Sequence, residues 1–342
     1  MKKTALNIIK VALALGLGIF IIWLSLKDLT PDEKQNIINS FKVADYSWVI
    51  YSIVIGVFSH LVRAMRWKIL LEPMGYKPTL YSSFLAVMIG YFANLGIPRS
   101  GEVARCTVLY KEHRIPVNKS FGTVILERAI DMLIFFSLFF ITLAVEYSRI
   151  DIYVRTHIYP KINEKFTSLS TEHLVGKAGL TVLLVLFLFY IIFRKKIINS
   201  NVYKKLMAFL KGIWEGLKSI SKINRPGLFV FYSLLIWFFY FLMVYLTLFS
   251  LPETSHLGVG AGLSVLVLGS IGIMITPGGI GLYPVIVSET LVLYGITKLS
   301  GIGLAMGWIT WSAQTIMILV VGGLSLVIVS LKSKNNGVLQ AN

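Results

Sequence analysis

Charge is scarce in this sequence. Only 14% of its 342 residues are Asp, Glu, Lys or Arg, where a soluble globular domain carries about a quarter. Acids are scarcer still: 16 face 33 bases, for a formal net charge of +17. Cysteine occurs once, at Cys106, which excludes an internal disulfide and points away from a cysteine-based metal site. The five histidines are scattered and match no H-E-x-x-H spacing, so neither a metal nor a cofactor is expected. No G-x-x-x-x-G-K-[ST] loop occurs, which excludes a P-loop motor from the chain. No G-x-S-x-G elbow occurs either. What is abundant is apolar: 56% hydrophobic residues, a mean hydropathy of +0.76, and several runs near the roughly 20 residues that cross a bilayer. The chain reads as an all-α polytopic membrane protein. In a soluble chain this basic excess would raise nucleic acid as a partner. Here it belongs to membrane topology, and no nucleic acid is expected.

The start, MKKTALNIIKVALALGLGIFIIWLSL, resembles a signal peptide. It lacks a small-x-small cleavage site and reads as a retained first helix over about 6–26. Hydropathy places further spans at about 47–65, 129–147, 178–193, 226–249 and 302–330. Two apolar runs, 80–97 and 257–276, end at breaks. The first break is NLGIPRSGEVAR (94–105) and the second is TPGGIGLYP (276–284). If 80–97 crossed fully, the basic stretch 99–128 would lie outside, against the positive-inside rule. A turn at Gly96–Pro98 keeps it inside. A second turn at TPGGIGLYP likewise leaves Lys332 and Lys334 inside.

The expectation is therefore a single integral membrane domain, 1–342, with six full spans and two re-entrant helical hairpins at about 80–110 and 257–296. Each half, about 6–147 and 178–330, reads span, span, hairpin, span, with opposite entry sides. Such an inverted repeat with broken helices points to a transporter site near the midplane. Both termini are expected to be cytoplasmic, in a plasma or inner cell membrane. Residues 197–225 carry Lys204, Lys205, Lys211, Lys218, Lys222 and Arg225 against Glu215. Apolar residues recur at helical spacing between them, as in an amphipathic helix on an anionic membrane surface. A solvated linker helix is the alternative.

Irregular backbone at membrane depth is tolerated only inside protein or along a watery cavity. Helix N-termini at the breaks, near Ser100–Glu102 and after Gly281, present N–H donors to an anion such as phosphate. Gly278, Gly279 and Gly281 allow close approach of backbone to a ligand, and Pro277 and Pro284 end and restart helices. A kinked packing contact is the plainer reading of each break. Ionisable residues within spans are site candidates by default. Arg99, Glu102 and Arg105 fall at the first break. Glu102 either bridges the two arginines or holds the helix start while they bind phosphate. Glu127, Arg128 and Asp131 follow. Glu127 and Asp131 share a helix face, and as first-turn acids they would equally serve as an electrostatic cap. Arg63 and Arg66 sit at the inner end of the second span, as site residues or as side chains snorkelling to headgroups. Trp67 reads as an interface aromatic.

In order, R-x-x-R-W (Arg63 to Trp67), R-S-G-E-x-x-R (Arg99 to Arg105), E-R-x-x-D (Glu127, Arg128, Asp131) and P-G-G-x-G (Pro277 to Gly281) resemble the lysylphosphatidylglycerol synthase/flippase transmembrane family. The resemblance implies an integral flippase fold that moves aminoacylated or other phospholipids, or polyprenyl-linked lipids, between leaflets. Family members often carry an acid shortly after P-G-G-x-G. Here Pro284 stands there and the nearest acid is Glu289, so that carboxylate's role does not carry over. The sequence stops at Asn342, so the soluble aminoacyl-transferase domain of bifunctional members is not expected. The expected function is a lipid flippase, not an enzyme. Its partners are a phospholipid or polyprenyl-linked lipid and the anionic membrane surface. A homo-oligomer is compatible with the sequence. Two other classes stay open: a membrane-embedded transferase using Glu102, Glu127 or Asp131 as general base, and a non-catalytic scaffold recruiting partners through 197–225.

Overall fold

The computed structural model describes residues 16, 20–27, 29–97, 100–160, 223–297 and 301–340. Pro98, Arg99, the expected span at 178–193, nearly all of the expected amphipathic helix 197–225, and most of the first expected span lie outside them. The chain forms two compact units, Met1–Ala144 with Ser221–Asn342, and Val145–Ile220. In the second, the described residues form a short helix, Tyr147–Tyr153, continued by a π-turn at Val154–Ile158.

In the larger unit the helices are α1 (Pro31–Val43), α2 (Tyr46–Leu71), α3 (Leu80–Gly96), α4 (Gly101–His113), α5 (Val117–Val145), α6 (Pro226–Leu248), α7 (Val259–Ile275), α8 (Leu282–Val292) and α9 (Ile302–Gln340). No strand occurs among the described residues. The starts follow local chemistry. Thr30 closes a capping box with Glu33 and Pro31 takes the first turn of α1. Asp45 accepts from the Ser47 amide at 2.9 Å to cap α2, and Thr79 accepts from the Ser82 amide at 3.1 Å to cap α3. Pro226 opens α6.

Among the described residues four helices are long and apolar enough to cross a bilayer: Tyr46–Met74, Val117–Val145, Pro226–Leu248 and Ile302–Lys332. Less than half of each is buried inside the protein. The exposed faces are large and apolar, with Ile50, Val54 and Phe58 on α2 and Phe231, Leu234 and Phe238 on α6. Such faces are suited to lipid. The chain is an integral membrane protein. Helices α3, α7 and α8 are apolar but shorter.

Two helix boundaries differ from expectation in a way that matters for the site. Helix α2 continues to Leu71 and α5 begins at Val117, well outside the hydropathy windows that end at 65 and begin at 129. Within the added turns Arg66, Ser120, Thr123 and Glu127 are buried against protein, and an apolar window passes over them.

Two apolar cores hold the unit together. One collects Trp67, Leu71, Leu85, Ala86, Cys106, Leu109 and Val124 around α3 and α4. The other collects Val244, Leu248, Val265, Tyr283, Val287, Leu291 and Met306 around α7 and α8. Between helices in lipid such side chains contribute through close van der Waals packing rather than through release of water. Glycines set the closeness of both helix pairs. A Cβ on Gly101 would lie 2.0 Å from the Gly90 carbonyl oxygen, so α3 and α4 meet backbone to backbone. A Cβ on Gly269 would lie 2.7 Å from the Tyr283 ring, which packs α8 against α7.

Candidate functional site

The residues singled out on α2, α4 and α5 converge. Arg63 and Arg66 are three apart on α2 and point to the same side. Asp131 on α5 accepts from Arg63 Nη1 at 2.8 Å and from Arg66 Nη1 at 2.6 Å. Glu127, one turn earlier, accepts from Arg66 Nε at 3.3 Å and pairs through its other oxygen with Arg105 Nη2 of α4. Three guanidinium cations thus face two carboxylates, and all five residues are less than a tenth exposed. Helix α6 adds neutral polar partners. The Tyr240 hydroxyl accepts from Arg63 at 2.9 Å and the Ser233 hydroxyl from Arg66 at 3.1 Å. Tyr91 of α3 shares a hydrogen bond of 3.3 Å with Tyr240. The Arg105 guanidinium lies 4.4 Å from the Trp67 ring centroid, a cation–π contact.

Arg128 faces away from this buried cluster. Its Nη2 donates to Glu102 Oε1 at 2.9 Å, and its side chain is 49% exposed. At the first break Ser100 precedes α4, and the Gly101 amide donates to Asn94 Oδ1 at 2.8 Å. Gly90, Tyr91, Asn94, Glu102, Arg105 and Arg128 line one cleft. Within it the second oxygen of Glu102 and the Nε of Arg105 are buried and have no hydrogen-bond partner.

Several sequence expectations change here. Glu102 does not bridge to Arg105; it accepts from Arg128, and Glu127 holds Arg105 instead. Arg63 and Arg66 do not snorkel; they are buried and paired. Glu127 and Asp131 are not first-turn acids, because α5 starts ten residues before Glu127. Trp67 is fully buried and donates from Nε1 to Thr123 Oγ1 at 2.8 Å. Arg99 lies outside the described residues.

The second break stands apart from the charged cluster. Pro277–Gly279 form a 3-10 turn, and Gly278, Gly279 and Gly281 have φ of 61°, 76° and 75°. These left-handed angles favour glycine. Trp311 of α9 donates from Nε1 to the Gly278 carbonyl at 2.7 Å. Pro284 lies inside the first turn of α8, and Glu289 is exposed. The two breaks approach each other: a Cβ on Gly278 would lie 3.3 Å from the Leu95 side chain. Sequence reasoning did not single out Tyr91, Asn94, Ser233, Tyr240 or Trp311. The only signal was a few polar atoms among aromatic and aliphatic neighbours. No group of three or more His, Cys, Asp or Glu suited to a metal occurs among the described residues.

The chain that carries these residues is matched by a family model. The transmembrane region of lysylphosphatidylglycerol synthase aligns with residues 7–322. The chain belongs to this family. Among curated relatives, a UPF0104 membrane protein of Methanocaldococcus jannaschii is 32% identical over 99 residues, 28% of this chain and 30% of that protein. A second UPF0104 membrane protein of the same organism is 30% identical over 196 residues, 56% of this chain and 74% of its own length. Glycosyltransferase AglD of Haloferax volcanii is 29% identical over 125 residues, 36% of this chain. The chain spans under a third of the first M. jannaschii protein and 20% of AglD. No solved structure matches.

Proposed function

We propose that this family member is a lipid flippase, carrying a phosphate-bearing headgroup of a phospholipid or polyprenyl-linked lipid between leaflets of the cell membrane. The observation that carries this reading is the surplus of buried cation. Three guanidinium groups share two carboxylates beside a cleft that Arg105 and Arg128 line. Moving a charged headgroup through bare hydrocarbon costs tens of kcal/mol in the Born limit. A protein-lined cationic path lowers that barrier. Helix pairs α3–α4 and α7–α8 serve as re-entrant hairpins from opposite sides, in halves related by inverted topology with both termini cytoplasmic. Arg99 and the P-G-G-x-G turn complete the path, and the basic segment 197–225 rests on the anionic leaflet. The drive is the membrane potential, a gradient or withdrawal of product. An inside-negative potential favours export of an anionic lipid by about 2.3 kcal/mol per charge per 100 mV.

The relative named glycosyltransferase AglD favours a second reading, a transferase acting on a lipid-linked substrate. One experiment separates the two. Purified protein in vesicles is given labelled lipids, and both leaflet position and chemical identity are read. The flippase reading expects translocation without chemical change, slowed about tenfold or more in Arg128→Ala. An altered lipid with no translocation overturns it.

A further inference from the structure

One buried titratable side chain stands beside the site without a part in it. His60 lies on α2 three residues before Arg63, so the two share a helix face. It is 3% exposed, and its Nδ1 has no hydrogen-bond partner. Its ring packs against that of Tyr91, with centroids 4.3 Å apart. A phenylalanine could pack there without the cost of an unpartnered buried nitrogen, so packing alone does not account for a histidine. Tyr91 also lines the cleft, and its hydroxyl meets that of Tyr240, which accepts from Arg63. Helix α2 packs against α3, α6 and α9. These present Tyr91 and Tyr240 to the site, but no Asp, Glu, Lys, Arg or His occurs on α3, on α6 or on α9 before Lys332. Among the described residues, the charges that face His60 are therefore Arg63 on its own helix and, behind it, Asp131 of α5, which accepts from Arg63 at 2.8 Å.

From this arrangement we infer that His60 is a proton-binding site, and that one proton crosses the membrane with each anionic headgroup. The inference rests on the flippase reading. Three arginines against two acids leave the empty site one positive charge in surplus. A proton on His60 alone would raise that surplus to two, in surroundings that screen charge poorly. An anion in the cleft first cancels the surplus, and the same proton then only restores the charge of the empty site. Anion binding therefore favours the proton, and by linkage the proton favours the anion by the same factor. His60 takes the proton at Nδ1 from water on the loading side and returns it to water on the far side. Histidine suits this role, and ionisable side chains within spans form proton relays in pumps and transporters. A monoanionic headgroup and its proton together carry no net charge. The pH difference across the membrane then drives transport in place of the potential.

The test places the purified protein in phosphatidylcholine vesicles with a trace of tail-labelled phosphatidylglycerol, a monoanion near neutral pH. Valinomycin with equal potassium on both sides holds the potential at zero while a pH difference is imposed. Leaflet position is read at equilibrium by quenching from outside. For each unit of pH difference the native protein is expected to enrich the label about tenfold in the leaflet facing the alkaline side. His60→Gln, which stays polar but carries no proton, is expected to distribute the label evenly. A second readout does not depend on turnover. An indicator dye follows proton uptake when phosphatidylglycerol is added to the protein in detergent, and about one proton per bound lipid is expected for the native protein and none for His60→Gln. Should His60→Gln move no lipid, this uptake decides alone. Thermal unfolding in detergent checks that the variant keeps its fold. An even distribution in the native protein, an enrichment unchanged in His60→Gln, or equal proton uptake by both overturns the inference alone. No movement of lipid by the native protein, with or without the pH difference, overturns the flippase reading together with it.

Discussion

The α3–α4 and α7–α8 helix pairs face one problem. Each breaks an apolar helix after about 17 residues and leaves backbone groups to satisfy among apolar neighbours. The first pair meets it with side chains. Asn94 takes the Gly101 amide, Ser100 Oγ donates to the Ala93 and Ile97 carbonyls, and ions from α2, α4 and α5 gather behind the break. The second pair meets it with backbone. Three glycines adopt left-handed angles, and a tryptophan from α9 holds one carbonyl. No charged residue lies in α7, and Glu289 on α8 is exposed. The contrast teaches that a broken membrane helix does not by itself require charge. The ions of the first pair exceed what the break needs, and this is why the headgroup site is assigned there.

The contrast can be broken most forcibly at Asp131. Asp131→Ala leaves Arg63 with no acid and Arg66 sharing Glu127 with Arg105, and is expected to cost about 3–5 kcal/mol. Thermal unfolding in detergent would show a drop of many degrees, and a shift within error would mean that the cluster does not hold α2 to α5. Smaller is the effect at the glycine contact. Gly101→Ala forces a methyl into the Gly90 carbonyl and is expected to destabilise by about 1–3 kcal/mol. Gly96→Ala has open space around it and is expected to be neutral. If both variants unfold alike, the close approach of α3 and α4 carries no weight. Smallest is Trp311→Phe, which removes one donor from the second turn at a cost of about 1 kcal/mol. A loss as large as that of Asp131→Ala would erase the distinction between an ion-held and a backbone-held break.

Much of the fold was legible because lipid imposes strong rules on sequence. Four spanning helices and both breaks stand out as apolar runs and as Gly–Pro interruptions. Arg63, Arg66, Arg105, Glu127 and Asp131 stand out because ions in apolar surroundings are rare. Their partners were not legible. Arg99, Glu102 and Arg105 at helical spacing suggest local pairing, yet Arg105 reaches Glu127, 22 residues on, and Glu102 reaches Arg128, 26 residues on. Long side chains reaching between α4 and α5 decide that, and no local spacing reports it. Trp67 was misplaced for a related reason. Hydropathy measures affinity for lipid, and the polar turns at the end of α2 and the start of α5 are buried against protein instead.

The cluster also imposes an order on synthesis. Arg63 and Arg66 leave the ribosome 68 and 65 residues ahead of Asp131. At about 5–20 residues per second, the wait lasts roughly 3–13 s. During that time α2 holds two cations without their counter-ions near its inner end, where their long side chains must keep to water or headgroups. Burial of the two arginines among the helices is thereby tied to the arrival of α5, which brings their acidic partners.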